Sequence, residues 1–101
     1  MEIKKQYLKS SSDCKVTFKV EKEVVNGATE VSIAGDFNGW NPEATPMKIA
    51  KSGEASVSIN LETGKEFQYK IVLNKTTWIN DPSADKTQPN EFGEENSVVI
   101  I

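Results

Sequence analysis

The stretch ASVSINLETGKEFQYKIVL, residues 55–73, decides the fold class, because apolar and polar side chains alternate on both sides of a single turn. Alternation with a period of two gives each strand one apolar and one polar face, as in a half-buried sheet. The turn between the two strands is supplied by Glu-Thr-Gly-Lys at residues 62–65. The stretch therefore predicts a β-hairpin whose apolar face is buried.

Short strands separated by turns extend from this hairpin in both directions. Cys14 to Val20 alternates cleanly, and Asn26-Gly27 is a turn signal. Further strands are predicted at residues 30–34, 47–49 and 97–101, and residues 1–12 are an N-terminal arm with a weaker strand at 4–8. No helical period of useful length is present. About seven short strands with frequent turns predict an all-β fold, an antiparallel β-sandwich, in one domain over residues 1–101.

Composition and charge exclude several classes of function. The formal charge is −3 and the lysines are dispersed, which disfavours nucleic acid and a lipid surface as partners. No apolar run approaches the ~20 residues of a membrane span, and no signal peptide is present. The single cysteine, Cys14, is interpreted as a small buried hydrophobe, and there is no histidine. We therefore predict a cytoplasmic protein that uses no metal and no other cofactor. The chain starts at Met1 and stops as the last strand ends, so we expect a free-standing small protein.

The segment AGDFNGWNP, residues 34–42, combines turn-forming residues with one large ring, Trp40. Glycine, asparagine, aspartate and proline favour tight turns and positive φ angles. An indole beside hydrogen-bonding side chains suits a ligand with apolar faces and polar edges, such as a sugar. The alternative is that Trp40 folds back and fills the core, since tryptophan is usually largely buried.

The register of the next hairpin decides where Trp78 lies. With the loop at residues 74–76, Ile71 pairs with Ile79, and Val72 pairs with Trp78. Trp78 then shares an exposed outer face with Lys70, because paired residues point to the same side of a sheet. A two-residue loop at 74–75 would reverse every side chain and bury the indole. We favour the three-residue loop, because the other register exposes Ile79.

Four segments in this order resemble family 48 carbohydrate-binding modules, the isoamylase-type N-terminal or "early set" domains. They are Gly-Asp-Phe-Asn-Gly-Trp at 35–40, Phe-Gln-Tyr-Lys at 67–70, Trp-Ile-Asn-Asp-Pro at 78–82, and Asn-Glu-Phe-Gly-Glu-Glu-Asn-Ser-Val at 90–98. The group includes the glycogen-binding domain of the AMP-activated protein kinase beta subunit. It also includes modules that precede glycogen-branching and debranching enzymes.

The resemblance implies an immunoglobulin-like antiparallel β-sandwich that binds α-1,4-linked glucans such as glycogen, starch and maltooligosaccharides. It implies that Trp40 and Trp78 stack on glucose rings and that Lys70 and Asn96 hydrogen-bond the hydroxyls. Phe92 matches a loop position where an apolar side chain reaches into the curve of the glucan. The chain departs from the kinase-type modules in two places: the turn between Lys70 and Trp78 is one residue longer, and Glu94 replaces a small hydroxyl residue.

Two other classes of function were compared with glucan binding. An enzyme that hydrolyses glycosides needs two carboxylates that flank the scissile bond. The candidates Asp36, Asp81 and Asp85 are better explained as turn residues, and residues 81–85 match no calcium-binding loop. The stronger alternative is a protein-interaction module that docks a glycogen-metabolising enzyme or another partner without binding sugar. That alternative predicts an exposed apolar patch extending well beyond the two indoles.

Overall fold

The computed structural model describes residues 2–9, 12–91 and 93–101. Within these residues the chain is almost entirely β-structure, with one single-turn helix and one 3-10 turn at Asp36–Asn38. The elements are β1 (Glu2–Tyr7), β2 (Asp13–Val20), α1 (Lys22–Val25), β3 (Val31–Gly35), β4 (Pro46–Ile49), β5 (Ala55–Glu62), β6 (Glu66–Leu73), β7 (Thr77–Ile79), β8 (Lys86–Pro89) and β9 (Glu95–Ile100). The predicted all-β fold is confirmed.

The strands form two antiparallel layers that are continuous at β4. The first layer has the order β1-β2-β5-β4, and the second has the order β4-β3-β6-β9-β8. β4 belongs to both, because Lys48 and Ile49 pair with β5 while Pro46 and Met47 pair with β3. β6 is the central strand of the second layer. One edge of β6 pairs with β3, and the other edge pairs first with β9 and then with β7.

The core lies between the layers and is built from the inward-facing residue of each alternating pair. Phe18 of β2 and Tyr69 of β6 meet edge to face at its centre, with ring centroids 5.0 Å apart. Cys14 is fully buried in the same cluster, which confirms its interpretation as a small hydrophobe. The remaining buried members of the core are Val16, Val20, Val25, Val31, Ile33, Met47, Ala55, Leu61, Ile71 and Val99.

Part of the outer face of the second layer is also buried, which the alternating pattern did not indicate. Ala34 and Val72 point away from the core cluster, yet neither is accessible to solvent. Ser32, Lys70 and Val98 are buried on the same side. The pattern assigns a residue to a face of the sheet but not to a depth. Residues of the segments after β3 and before β9 line a groove on this face together with residues of β6.

Three elements differ from the sequence-based prediction. Residues 2–7 of the predicted arm form a regular edge strand that pairs with β2 from Glu2↔Lys19 to Tyr7↔Cys14. β8 is absent from the predicted strands, because its four residues are all exposed and carry no alternation. α1 is four residues long and too short to generate a helical period. Across the described ranges, neither helical segment has the length and apolar character that a membrane crossing requires.

Candidate functional site

A groove of about 600 Å³ opens on the outer face of β6. Trp40, Lys70, Trp78 and Asn96 line it together, so four residues proposed from separate sequence motifs share one surface. The fifth, Phe92, lies outside the described residues, and its role stays a prediction. Trp40 comes from the segment after β3, Lys70 from β6 and Trp78 from β7, so three elements supply the first three side chains.

The Trp40 indole is held at one wall of the groove by its own loop. Gly39 and Trp40 both adopt left-handed backbone conformations, with φ angles of 67° and 60°. The Trp40 amide donates to the Gly35 carbonyl at 2.9 Å, which closes the loop. The indole Nε1 donates to Asp36 Oδ1 at 3.1 Å, and this bond fixes the orientation of the ring. Trp40 is half-buried and lies outside the core cluster, so the alternative in which it fills the core is wrong.

Two polar side chains stabilise the base of the Trp40 loop. The Asn38 side chain accepts from the Gly35 amide at 3.0 Å and donates to the Ile33 carbonyl and Thr45 Oγ1, each at 2.9 Å. The second oxygen of Asp36 accepts from the Gln68 amide of β6 at 2.8 Å. Asp36 therefore joins the Trp40 ring directly to the central strand.

Trp78 lies on the groove because the β6–β7 hairpin has the predicted register. Ile71 pairs with Ile79, and Val72 pairs with Trp78, which confirms the three-residue loop. Ile79 packs against the core and Trp78 remains 40% exposed. Left-handed conformations at Asn74 and at the residue after it form the turn, where Asn74 Oδ1 accepts from the Glu30 amide at 3.2 Å.

The predicted exposure of Lys70 is wrong. Lys70 does share the outer face with Trp78, but it is only 8% exposed. It lies on the central strand of the second layer. A long aliphatic stem can be buried while the ammonium group reaches a partner. Lys70 Nζ donates to Glu94 Oε2 at 2.9 Å. The ammonium group is therefore part of an ion pair at the groove.

Asn96 forms part of a hydrogen-bonded polar floor. Its Nδ2 donates to Gln68 Oε1 at 3.0 Å, and its Oδ1 accepts from Asn90 Nδ2 at 3.2 Å. Asn96 is 9% exposed, so these contacts satisfy a nearly buried amide. Gln68, Asn90 and Asn96 are hydrogen-bonded to one another in the lining that they share with the indoles, so a polar ligand would meet a preorganised surface.

The candidate catalytic carboxylates have other partners. Asp36 holds Trp40, as described above, and Asp85 binds Lys5 Nζ and the Ile100 amide, each at 2.7 Å. Asp81 is buried, accepts from the Tyr69 hydroxyl at 2.7 Å and forms a turn with the Ser83 amide at 2.9 Å. Of the three, only Asp36 lines the groove. Asp81 makes the contacts of a turn residue, whereas Asp36 and Asp85 bond mainly to other elements of the fold. The described ranges contain no cluster of carboxylate or cysteine ligands suited to a metal.

The pKa values of Tyr69 and Asp85 are shifted by their surroundings. Burial of Tyr69, together with the Asp81 charge beside it, raises the pKa of its hydroxyl far above the usual range. Partial burial of Asp85 acts to raise its pKa, but hydrogen bonds from the Ile100 amide and Lys5 outweigh this effect and leave the pKa lowered. Both groups lie away from the groove lining, so these shifts concern folding stability.

Sequence reasoning missed part of the groove. Gln68, Asn90, Glu91 and Glu94 also line it. The place of Gln68 on the outer face could have been predicted, because residues two apart on a strand share a face and Lys70 was assigned to the outer face. Asn90, Glu91 and Glu94 lie in the segment before β9, where no periodicity indicates direction, and only the family resemblance drew attention to Glu94. The lining contains the carboxylates of Asp36, Glu91 and Glu94 and one ammonium group, Lys70, and is thus acidic.

Comparison with known proteins agrees with this geometry. Residues 11–90 match the family described as carbohydrate-binding module 48 (isoamylase N-terminal domain). The chain belongs to this family. Its members are non-catalytic binding modules, although enzymes contain them as parts. The resemblance noted in the sequence motifs is therefore confirmed, while the individual roles of the groove residues stay predictions.

Two kinds of glucan-processing enzyme contain segments similar to this module. The amylopullulanase of Thermoanaerobacter thermohydrosulfuricus is 34% identical over 83 residues, which cover 80% of this chain and 5% of that enzyme. The 1,4-alpha-glucan branching enzyme GlgB 2 of Xanthomonas campestris pv. campestris is 37% identical over 46 residues, which cover 45% of this chain and 6% of that enzyme. The module thus spans only a small fraction of these relatives.

Proposed function

We propose that this module binds α-1,4-linked glucans through the groove on β6, without catalysing a reaction on them. The observation that carries the proposal is the convergence of Trp40 and Trp78 on one groove with a polar floor. A pyranose ring has apolar C–H faces and a rim of hydroxyls, so it matches indoles flanked by amides and charged groups. The relatives amylopullulanase and 1,4-alpha-glucan branching enzyme support a glucan as the ligand class.

The expected affinity for a glucan is weak, because stacking on two indoles and a few hydrogen bonds are the main favourable contributions. An indole that covers a pyranose face buries ~100 Å² of apolar surface, which contributes about 2 kcal/mol. Each net hydrogen bond adds about 1 kcal/mol. These terms must offset the entropy lost on association. We therefore expect dissociation constants of roughly 10 to 1,000 μM for short oligosaccharides, and tighter retention on glycogen through many neighbouring sites.

Alanine substitution of each indole tests the proposal. Trp40→Ala and Trp78→Ala each remove one stacking surface and should abolish most retention on glycogen in native affinity gels. Tyr7→Ala is the matched control, because Tyr7 is a 57% exposed aromatic residue that does not line the groove. If both tryptophan variants remain folded and migrate like the parent protein in glycogen gels, the groove is not the glucan site.

The lining of the groove favours sugar over a protein partner such as a glycogen-metabolising enzyme. A protein-docking surface predicts an apolar patch that continues beyond the indoles. Here the residues around Trp40 and Trp78 include Asp36, Gln68 and Glu91. The other large apolar side chains exposed among the described residues are Tyr7 and Ile100, and neither lines the groove. The two rings are thus set in polar surroundings.

A further inference from the structure

The ion pair between Lys70 and Glu94 is asymmetric in its exposure to the groove. Lys70 Nζ and Glu94 Oε2 are 2.9 Å apart, but the Lys70 side chain is 10% exposed and the Glu94 side chain is 67% exposed. Both residues line the groove. The carboxylate is therefore much the more exposed member of the pair at the groove.

We propose that Glu94 is a sugar-binding residue whose carboxylate accepts hydrogen bonds from glucose hydroxyls, and that Lys70 acts as its positioning residue. The proposal rests on the proposed glucan-binding function and deepens it. It assigns the direct polar contact to Glu94, where the family resemblance placed that contact on Lys70. The groove then recognises a glucan by two stacking surfaces and one fixed anionic acceptor.

The chemistry of the carboxylate supports this assignment. An ionised carboxylate offers about four lone-pair sites, and the contact with Lys70 is made through one oxygen, Oε2. The exposed remainder of the carboxylate can accept hydroxyl protons from a sugar. Hydrogen bonds with an ionised acceptor are roughly twice as strong as neutral ones. Glu94 is therefore the hydrogen-bond acceptor of the ion pair, since the Lys70 ammonium group can only donate.

Displacement of Glu94 by the sugar is the less favourable arrangement. It would leave the Lys70 ammonium group, whose side chain is only 10% exposed, without its counter-charge, and a charge that is nearly buried is costly when it has no partner. A neutral hydroxyl does not replace a full negative charge. A sugar that bonds to Glu94 leaves the ion pair intact and adds contacts to it.

The backbone around Glu94 is already ordered for this role. The Glu94 amide donates to Asn90 Oδ1 at 3.1 Å, and the Asn90 amide donates to the Glu94 carbonyl at 2.8 Å. Asn90 also contacts Asn96 in the polar floor. These bonds limit the conformational entropy that the acceptor would lose on binding a ligand.

Calorimetric titration with maltoheptaose tests the role of Glu94. We expect Glu94→Ala to weaken binding about tenfold, because a charge-assisted hydrogen bond is lost. Glu94→Gln keeps the shape and should fall between Glu94→Ala and the parent protein. Glu95→Ala is the matched control, since this neighbouring carboxylate is exposed and does not line the groove, and it should bind within about twofold of the parent. Unchanged or tighter binding by folded Glu94→Ala overturns the proposal.

A double-mutant cycle separates a positioning role for Lys70 from a direct one. Lys70→Met should weaken binding less than Glu94→Ala does, and it should add less than about twofold in the Glu94→Ala background. A larger loss in Lys70→Met than in Glu94→Ala, or losses that multiply, would place Lys70 in contact with the sugar and overturn the assignment. Failure of the parent protein to bind any glucan would refute the proposed function itself. Binding that is lost in Trp40→Ala but retained in Glu94→Ala would refute only the role of Glu94.

Discussion

Trp40 adopts a left-handed backbone conformation that a bulky residue rarely occupies. Such a conformation costs roughly 1–2 kcal/mol relative to the right-handed region. The surrounding hydrogen bonds, from the Trp40 amide to Gly35 and from its indole to Asp36, hold it in place. Strain of this kind is concentrated at functional sites. In this strained conformation the Trp40 indole lies in the groove lining and outside the core cluster.

Substitution of Asp36 tests whether the orientation of this ring matters. Asp36→Ala removes the acceptor for Trp40 Nε1 and for the Gln68 amide, so the ring should become mobile. We expect glucan affinity to fall about threefold to tenfold and unfolding free energy to fall by about 1–2 kcal/mol. Tryptophan fluorescence titration and urea unfolding measure the two effects. Parent-like affinity in the alanine variant would show that the Trp40–Asp36 bond is dispensable for binding.

For individual residues, the sequence indicated which side chains belong to the site better than it indicated how deeply each side chain is buried. The position of Trp78 was predictable, because the hairpin register decided it, whereas the loop composition left open whether Trp40 faces a ligand or the core. The burial of Lys70 was not predictable, because alternation on β6 reports which face a side chain occupies and says nothing about how deeply it is buried. The contact between Lys70 and Glu94 joins residues 24 positions apart, and no local pattern encodes it.

At the scale of the elements, β3 and β6 approach closely at Gly35, which pairs with Tyr69. A Cβ atom on Gly35 would lie 2.7 Å from Tyr69 Cβ and closer still to the Gln68 carbonyl oxygen. Gly35 is extended, with a φ angle of −171°, so the requirement is for space and not for a left-handed conformation. The glycine thus allows the Trp40 loop to leave β3 directly against the central strand.

Replacing Gly35 should therefore be costly for the packing of the two strands. We expect Gly35→Ala to lower the free energy of unfolding by about 1–3 kcal/mol, the usual range for overpacking. Gly64→Ala is the comparison, because nothing lies within 4 Å of a Cβ there and only its positive φ of 81° opposes the change. Urea unfolding should rank Gly35→Ala as the more destabilised variant, and the reverse order would contradict a close contact at β6.

The elements also show which local signals carry information. The β6–β7 register was predicted because Ile71 and Ile79 had to share the buried side. β8 could not be predicted, because an exposed edge strand buries neither face and shows no alternation. Its pairing with β9, from Lys86↔Val98 to Pro89↔Glu95, is a tertiary property of the folded sheet.

For the whole molecule, contacts between distant parts of the chain close the sandwich. Lys5 of β1 pairs with Asp85 at 2.7 Å, and the Tyr7 hydroxyl donates to the Ile101 carbonyl at 3.2 Å. In the interior, the Tyr69 hydroxyl donates to Asp81 at 2.7 Å and links the core to the segment after β7. The tyrosine contact makes folding stability depend on pH in the alkaline range.

Tyr69 should destabilise the folded state above about pH 10, the usual pKa of tyrosine. Burial and the Asp81 charge keep the hydroxyl protonated in the folded protein, whereas the unfolded chain releases the proton. The unfolded state then binds fewer protons, so the free energy of unfolding decreases as pH rises, by up to about 1.4 kcal/mol per pH unit. Tyr69→Phe removes this contribution. Urea unfolding at pH 8 and pH 11 should show a smaller decrease for the variant, and equal decreases would contradict the prediction.

One edge of β6 pairs with β9 along its first half and with β7 along its second half. The groove residues that come from β7 and those that come from the segment before β9 can therefore be changed separately. Trp78 belongs to the β6–β7 hairpin, whereas Glu94 directly precedes β9 and Asn96 lies near its start. Insertions or exchanges in the segment before β9 would alter the polar chemistry without moving the hairpin, and changes in the hairpin would leave that chemistry in place. A library confined to residues 90–94 could accordingly retarget the module to differently substituted polysaccharides while both aromatic surfaces stay where they are.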